Sequence, residues 1–254
     1  MAHYRSIFVS DLHLGARASQ AELFSNFLKN NTCDNLFLVG DIIDGWRLKR
    51  KWYWPQSHTD AIRRILTAAK RDTRVYYIPG NHDESIRKFL AFDITFGRIK
   101  FFDRYIHIGA NGKRYLVIHG DQFDGLMMPN RKWLMHVGDV AYNMLVWFNT
   151  HLNTVRGWIG RDYWSLSQFL KSRTKSALNY INSFEDHLAE HCLHHGYDGV
   201  ICGHIHTPVI KTVNDVAYMN TGDMCESISA IVEDYDGNFH LVDAKTFQSF
   251  HQSN

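Results

Sequence analysis

Apolar residues along this chain follow two rhythms, and one arrangement repeats. It is a short apolar run that ends in a ligand-type residue: IFVSDLH at 7–13, LFLVGD at 36–41, VYYIPGNHD at 75–83, YLVIHGD at 115–121 and GVICGHIH at 199–206. Such runs, rich in β-branched and aromatic residues and stopped by Gly, Pro or a polar residue, predict buried strands. We expect strands at Arg5–Ser10, Leu36–Val39, Val75–Ile78, Tyr115–Ile118 and Gly199–Cys202, and further strands at Ile99–Ile108, Val216–Met219, Ile228–Val232 and Phe239–Val242. Asn111-Gly112 is a strong hairpin signal and would join Ile99–Ile108 to Tyr115–Ile118. The last three strands would form a meander with a turn at Asp236-Gly237-Asn238. Helical spacing marks Gln20–Lys29, through Leu23, Phe24, Phe27 and Leu28, and Thr59–Lys70, with Ile62, Ile65 and Leu66 inward. Ser85–Ala91 reads as a short helix. The strand–helix–strand order at the start suggests a βαβ unit.

From about Leu126 to His195 strand signals vanish. Leu134, Val137, Ala141, Met144, Phe148, Phe169, Leu178, Ile181 and Leu188 recur at helical spacing. Lys132, His136, Asp139 and Asn143 interrupt the stretch, so it does not read as transmembrane. The expectation is one domain over residues 1–254, with a helical insertion at about 126–195 lying over the sheet. The 254-residue length and 45% hydrophobic content allow a sizeable core, and a formal net charge of only +2 argues against a large nucleic-acid footprint. Cys33, Cys192, Cys202 and Cys225 lie far apart without a CxxC pair, which suits free thiols in a reducing compartment. The N-terminus runs directly into a strand without a signal-peptide core, so a cytoplasmic protein is expected.

A carboxylate at a strand tip cannot pack into an apolar core without a large desolvation cost, so Asp41 needs a cation. The tips together offer Asp11, His13, Asp41, Asn81, His119, His204 and His206, all oxygen or imidazole donors. No thiolate is among them, a set suited to Mn, Fe, Zn or Ni rather than a structural zinc. A carboxylate can bind two ions at once, and on that criterion either Asp41 or Asp11 could bridge a pair.

SDLHLG, VGDIIDG, PGNHD, VIHGD and CGHIH, in this order, resemble the five-motif signature of calcineurin-like metallophosphoesterases over about residues 6–206. The resemblance implies an α/β fold, a two-sheet sandwich flanked by helices, with a two-metal site at the strand ends. It implies that Asp11, His13, Asp41 and His206 hold one divalent ion and Asp41, Asn81, His119 and His204 the other, which makes Asp41 the bridge. Manganese is the expected ion, with iron or zinc as alternatives. His82 would be a transition-state stabiliser or proton donor, oriented by Asp83. Asp44 would either support this site or cap the segment after it.

GDIIDGW, HGDQFDG and the helical insertion between the fourth and fifth motifs further resemble one branch, the UDP-2,3-diacylglucosamine pyrophosphohydrolases of lipid A synthesis. That branch carries Arg where this chain has His82. The likeness implies substrate contacts from Asn81, His82, Asp124 and His204, and from Lys171 and Lys175, which otherwise belong to a solvated basic helix face. The partner implied is a nucleotide-linked glycolipid, met at the cytoplasmic face of the inner membrane. The alternative is a soluble phosphodiesterase or nucleotide pyrophosphatase of the same fold. The segment WRLKRKWYWPQ at 46–56 mixes four cations with three tryptophans. It suits an anionic membrane surface, stacking on single-stranded nucleic acid, or a loop gripping the insertion.

Overall fold

The first strand β1 (Ala2–Val9), helix α1 (Ala21–Asn30) and strand β2 (Asn31–Val39) form the expected unit, with β1 and β2 parallel. The computed structural model describes residues 2–92, 95–124 and 175–246. Helix α1 forms where Phe24, Phe27 and Leu28 share one buried face, with Glu22 in its first turn and Lys29 in its last, each sign matching the helix dipole. The helices α2 (Gly45–Arg50) and α3 (Gln56–Lys70) follow, then β3 (Arg74–Ile78) and a 3₁₀ helix at Glu84–Phe92. On α3 the inward row is His58, Ala61, Ile65 and Ala69. Ile62 packs at its margin, whereas Leu66, expected inward, is exposed, because the buried stripe runs one residue ahead of it.

Next come β4 (Thr95–Phe96), β5 (Ile99–Phe101), β6 (Tyr105–Ile108), β7 (Arg114–Val117), α4 (Lys175–His195), β8 (Gly199–Cys202), β9 (Val209–Val213), β10 (Val216–Asn220), β11 (Ser229–Glu233) and β12 (Phe239–Asp243). Among the described residues these make a seven-stranded sheet ordered β12-β11-β1-β2-β3-β5-β4 and a five-stranded sheet ordered β6-β7-β8-β10-β9. Strands β1, β2, β3 and β5 are parallel in the first, and β7, β8 and β10 in the second. The chain divides into two compact units, residues 1–121 with 188–254, and residues 122–187. The first holds both sheets. Of the expected insertion, residues 126–174 lie outside the described residues. The part that is described, α4, is helical and buries Phe184, Leu188, Ala189 and Cys192 along one face.

Two expectations hold only in part at the strand level. The apolar run Ile99–Ile108 is two strands in different sheets: β5 pairs with β3, and β6 forms the hairpin with β7. The chain changes sheets at Phe102-Asp103-Arg104, and Phe102 and Tyr105 both pack against Tyr76 between the layers. Ile99 and Phe101 pack with the core beneath α1 and α3, and Phe102 and Tyr105 with the core between the sheets, so both halves are apolar and hydropathy does not betray the break. The meander holds only for β11 and β12, which pair in the first sheet around the expected Asp236-Gly237-Asn238 turn, while β10 pairs with β8 and β9 in the second.

Alternate residues of the central strands serve two cores. Ile7, Val9, Leu36, Leu38, Val75 and Tyr77 pack against α1 and α3, whereas Phe8, Phe37, Val39, Tyr76 and Ile78 meet Tyr115, Val117, Ile201 and Met219 of the second sheet. Burial on both faces explains why these strands read as continuous apolar runs. Phe8, Phe37 and Tyr76 stack in a row across β1, β2 and β3, with centroids 4.6 and 4.5 Å apart. All four cysteines are buried free thiols.

A buried acid ties the two sheets together. Glu233 of β11 accepts from Arg5 (2.6 Å), from the Ser6 hydroxyl (2.6 Å) and from the Ala110 N–H (2.8 Å), and lies 2.7 Å from His107 Nε2 on β6. Burial pushes its pKa up, but these partners outweigh that and hold it below the usual glutamate value. A lowered carboxyl pKa adds stability above the unfolded-state value, near 4.3, and loses it as pH falls through the folded value. We expect Glu233→Gln to lower stability by about 3 kcal/mol at neutral pH, measured by denaturant melts. The gap from wild type should shrink below about pH 4; an equal gap at both pH values would remove the charge from this role.

Candidate metal centre

The loops after β1 and β2 run side by side and continue the sheet past its strands. Asp11 N–H donates to Gly40 O (3.0 Å), His13 N–H to Asp41 O (2.9 Å) and Leu14 N–H to Ile42 O (2.9 Å). In this extension Leu12, Leu14 and Ile42 point into the core with no exposed surface, and Asp11, His13 and Asp41 point to the opposite side. The arrangement requires left-handed backbone at Asp11 (φ 52°), His13 (48°) and Asp41 (54°), and again at His204 (68°) and His206 (53°). Non-glycine residues adopt this region at a cost of order 1 kcal/mol or more each, and such strain collects at functional sites. Two glycines permit the convergence. A Cβ on Gly40, whose φ is +83°, would overlap the His119 ring, and one on Gly80 would overlap Asp41 Oδ1.

Five of the predicted ligands, Asp11, His13, Asp41, His119 and His206, are brought together. The ligand atoms of Asp11, His13 and His206 lie within 4.8 Å of one another, as do those of Asp11, Asp41 and His119, and those of His13, Asp41 and His82. His206 Nε2 is 3.0 Å from Asp11 Oδ1, and His119 Nε2 is 3.4 Å from Asp41 Oδ2. The His204 ring stands edge-on to His119 at 5.1 Å. His119 Nδ1 lies 2.9 Å from the Val39 carbonyl and donates to it, which turns the lone pair of Nε2 into the site. Asp11 Oδ2 accepts from Ser10 Oγ and from His204 N–H, leaving Oδ1 on the site side.

The donor set fits divalent cations. Among the described residues Asp11 Oδ1, Asn81 Oδ1 and His119 Nε2 are buried and make no hydrogen bond, the close contacts of Asp11 Oδ1 and His119 Nε2 being ion-pair ones with His206 and Asp41. Each such atom costs about 1–3 kcal/mol if nothing replaces its lost water. The electrostatics agree. Burial raises the Asp11 and Asp41 pKa values, but the surrounding imidazoles outweigh it and hold both carboxyls well below the usual range. Burial lowers the His119 and His13 values, but the carboxylates outweigh it, lifting His119 well above normal and His13 to about 9. Two carboxylates and two imidazoles crowded into one buried space favour positive charge among them.

His82 and Asp83 divide their work differently from the expectation. Asp44 meets the His82 ring, with Nδ1 3.0 Å from Oδ1, and the same carboxylate caps α2 through the Arg47 N–H and faces His13 Nδ1 at 3.6 Å. Both roles held open for Asp44 are thus filled at once. Asp83 does not reach the imidazole. It is buried beneath the loop, where it accepts from the Gly80 N–H, the Ile42 N–H (3.0 Å) and the Tyr77 hydroxyl (2.6 Å), and so pins the Asn81-His82 turn to the Asp41 loop. Burial first, then the Asp41 charge, raises its pKa. Asp124 accepts from the Tyr180 hydroxyl at 2.8 Å within residues 122–187. Lys171 lies outside the described residues, as does the side chain of Lys175.

Sequence reasoning missed three contributors. Trp46 lies against His82, with ring centroids 4.3 Å apart. Asp121 takes a two-pronged contact from Arg87 (2.6 and 2.7 Å), and Arg87 also donates to Pro79 O, joining the HGD and PGNHD loops. Asp223 Oδ2 lies 3.8 Å from His206 Nδ1. The last had a visible signal: β10 ends in Asn220-Thr221-Gly222-Asp223, a sixth apolar strand with a Gly-Asp tip.

Because Asp41 faces His13, His82 and His119 through one carboxylate, Asp41→Ala is expected to abolish metal retention together with activity. Elemental analysis of the purified variant checks this, and full metal content would exclude Asp41 as a ligand.

Residues 4–208 match the family described as calcineurin-like phosphoesterase. No curated protein matches the chain. Solved structures similar to it include YfcE, a phosphoesterase from E. coli, at 14% identity and TM-score 0.47, covering 97% of this chain and 96% of that one. An archaeal phosphodiesterase is 13% identical with TM-score 0.45, covering 93% and 98%. Vps29 from Entamoeba histolytica in complex with Zn is 11% identical with TM-score 0.43, covering 96% and 95%. With its two-sheet α/β fold and a cluster of Asp and His side chains able to bind divalent metal, the chain belongs to the calcineurin-like phosphoesterase family of metal-dependent hydrolases.

Proposed function

We propose that the protein hydrolyses the pyrophosphate bond of UDP-2,3-diacylglucosamine to UMP and the acylated sugar phosphate, lipid X. The observation that carries this reading is the position of Trp46. It is the final residue of the branch-like motif GDIIDGW, and it lies against His82 at the centre of the cluster. In this reading Asp11, His13, Asp41 and His206 hold one divalent ion and Asp41, Asn81, His119 and His204 the other, with manganese the preferred metal and iron or zinc the alternatives. Bound divalent ions lower the pKa of a water and neutralise charge on the phosphoryl oxygens.

The chain's own residues supply the rest. Hydrolysis adds water across the P–O–P bridge: the water oxygen joins one phosphorus, and the bridging oxygen leaves with the other phosphate. His82 Nε2 faces Asp41 at 3.9 Å while Nδ1 is held by Asp44. Burial raises the Asp44 pKa, but His13 and His82 outweigh it and keep the carboxylate ionised at neutral pH. Asp44 holds the ring by Nδ1, which leaves Nε2 to hydrogen-bond a phosphoryl oxygen or the departing oxygen. Trp46 covers one face of that ring and limits its rotation. His82 also supports the second reading, a soluble phosphodiesterase or nucleotide pyrophosphatase, since the lipid A branch carries Arg there.

For His82→Ala we expect both metals retained and kcat lowered by about 10²–10⁴-fold. Loss of metal instead would make His82 a ligand. The substrate reading is tested with UDP-glucosamine carrying no, one or two acyl chains, each above and below its critical micelle concentration. Each buried CH₂ is worth about 0.8 kcal/mol, so kcat/KM should climb steeply with acylation. A flat series would eliminate the lipid substrate and leave the soluble reading.

A further inference from the structure

We infer that residues 47–52 form a docking edge for an anionic lipid surface, placed beside the metal centre. From Gly45 to Thr59 the chain has no acidic residue, and Arg47, Lys49, Arg50 and Lys51 fall within five positions of one another. Lys49, Arg50, Lys51 and Trp52 are exposed, and among the described residues none of the three cations Lys49, Arg50 and Lys51 is ion-paired. In a protein of formal charge +2 this local excess is not a reflection of overall composition.

The back of the segment is fastened and its front is not. Trp54 Nε1 donates to Thr59 at 3.1 Å, and Tyr53 and Trp54 each present an edge contact to the buried His58. His58 Nδ1 in turn accepts the Gly15 N–H at 3.0 Å, beside the His13 loop. The Arg17 guanidinium lies over the Tyr53 ring at 5.4 Å. At the other end Asp44 caps α2, and Trp46 packs on His82. Between these two anchors Trp52 is 72% exposed, its ring 6.1 Å from that of Trp54. An indole left in water on a rigid support, with cations on its N-terminal side, suits the headgroup boundary of a bilayer. There the indole is half-immersed and Lys and Arg meet lipid phosphates. Negative lipid charge complements the patch, and the anchors join it to His82 and to the loop that carries His13. A site seated at a lipid surface suits the acylated substrate, and to that extent the functional consequence rests on the proposed reading; the lipid contact itself does not.

The test is flotation of the purified protein with substrate-free vesicles of phosphatidylcholine alone, or of phosphatidylcholine mixed with phosphatidylglycerol. Wild type should bind the anionic vesicles, ignore the neutral ones and dissociate as salt rises. Lys49→Gln/Arg50→Gln/Lys51→Gln should weaken partitioning by about 100-fold, from about 1 kcal/mol per cation, and Trp52→Ala by about tenfold. Both variants should hydrolyse bis-p-nitrophenyl phosphate in solution at the wild-type rate, which also shows that they fold. Failure of wild type to float with anionic vesicles, or variants that float as well as wild type, would overturn the lipid contact. Preferential capture of single-stranded oligothymidylate over vesicles would overturn it in favour of nucleic acid. Because these vesicles carry no substrate, a failed acyl-chain series leaves this result unaffected, and the reverse also holds.

Discussion

The carboxylates of Asp11 and Asp41 are buried with oxygens within 4.8 Å of each other, and the upper end of the fold is built around that proximity. Two negative charges at such a separation repel by about 3 kcal/mol even at an effective dielectric of 20. Five residues adopt left-handed backbone to aim their side chains at this point, and Gly40 and Gly80 make room for it. None of this favours folding by itself. The cost is sustained by the layers beneath, where the Phe8–Phe37–Tyr76 stack and the two apolar cores hold β1, β2 and β3 so firmly that their loops have nowhere else to go.

A second buried acid shows what the same chemistry looks like when its purpose is structural. Glu233 has a partner for each oxygen, from Arg5, Ser6, His107 and the Ala110 backbone, and pairs with Ser6 in the middle of β1. At the cluster, by contrast, Asp11 Oδ1, Asn81 Oδ1 and His119 Nε2 make no hydrogen bond among the described residues. Completeness of hydrogen bonding separates the two places. A fully satisfied buried acid binds parts of the protein to one another, whereas incomplete satisfaction marks a place reserved for something else.

The strand-tip positions of the candidate ligands were readable from sequence because a polar residue at the tip of a buried strand is costly to desolvate and must be met by a partner or an ion. Asp11, His13, Asp41, His119, His204 and His206 all stand where that pattern puts them. What was not readable depends on contacts between loops distant in sequence. Asp44 and Asp83 are both acids near His82, and only the fold decides that the one 38 residues away meets the ring while the neighbour turns under the loop. The split of Ile99–Ile108 was hidden because each half is packed in an apolar core, Ile99 and Phe101 in one and Phe102 and Tyr105 in the other, so the apolar run is unbroken. The short helix α2 was hidden because Gly45–Arg50 has no buried residue to set a helical rhythm.

If the repulsion between Asp11 and Asp41 and the unpartnered donors around them are resolved by divalent cations, the metal-free fold must be the less stable one. The most direct measurement is the thermal midpoint of protein stripped with a chelator, before and after saturation with Mn²⁺. Ligand at about 100 times its dissociation constant adds about 2.7 kcal/mol, which for a chain of this size raises the midpoint by roughly 5–10 °C. A rise of that size is the expected result. An unchanged midpoint, with metal shown to be absent from the stripped protein and available in the refilled sample, would mean that the cluster is satisfied without cations.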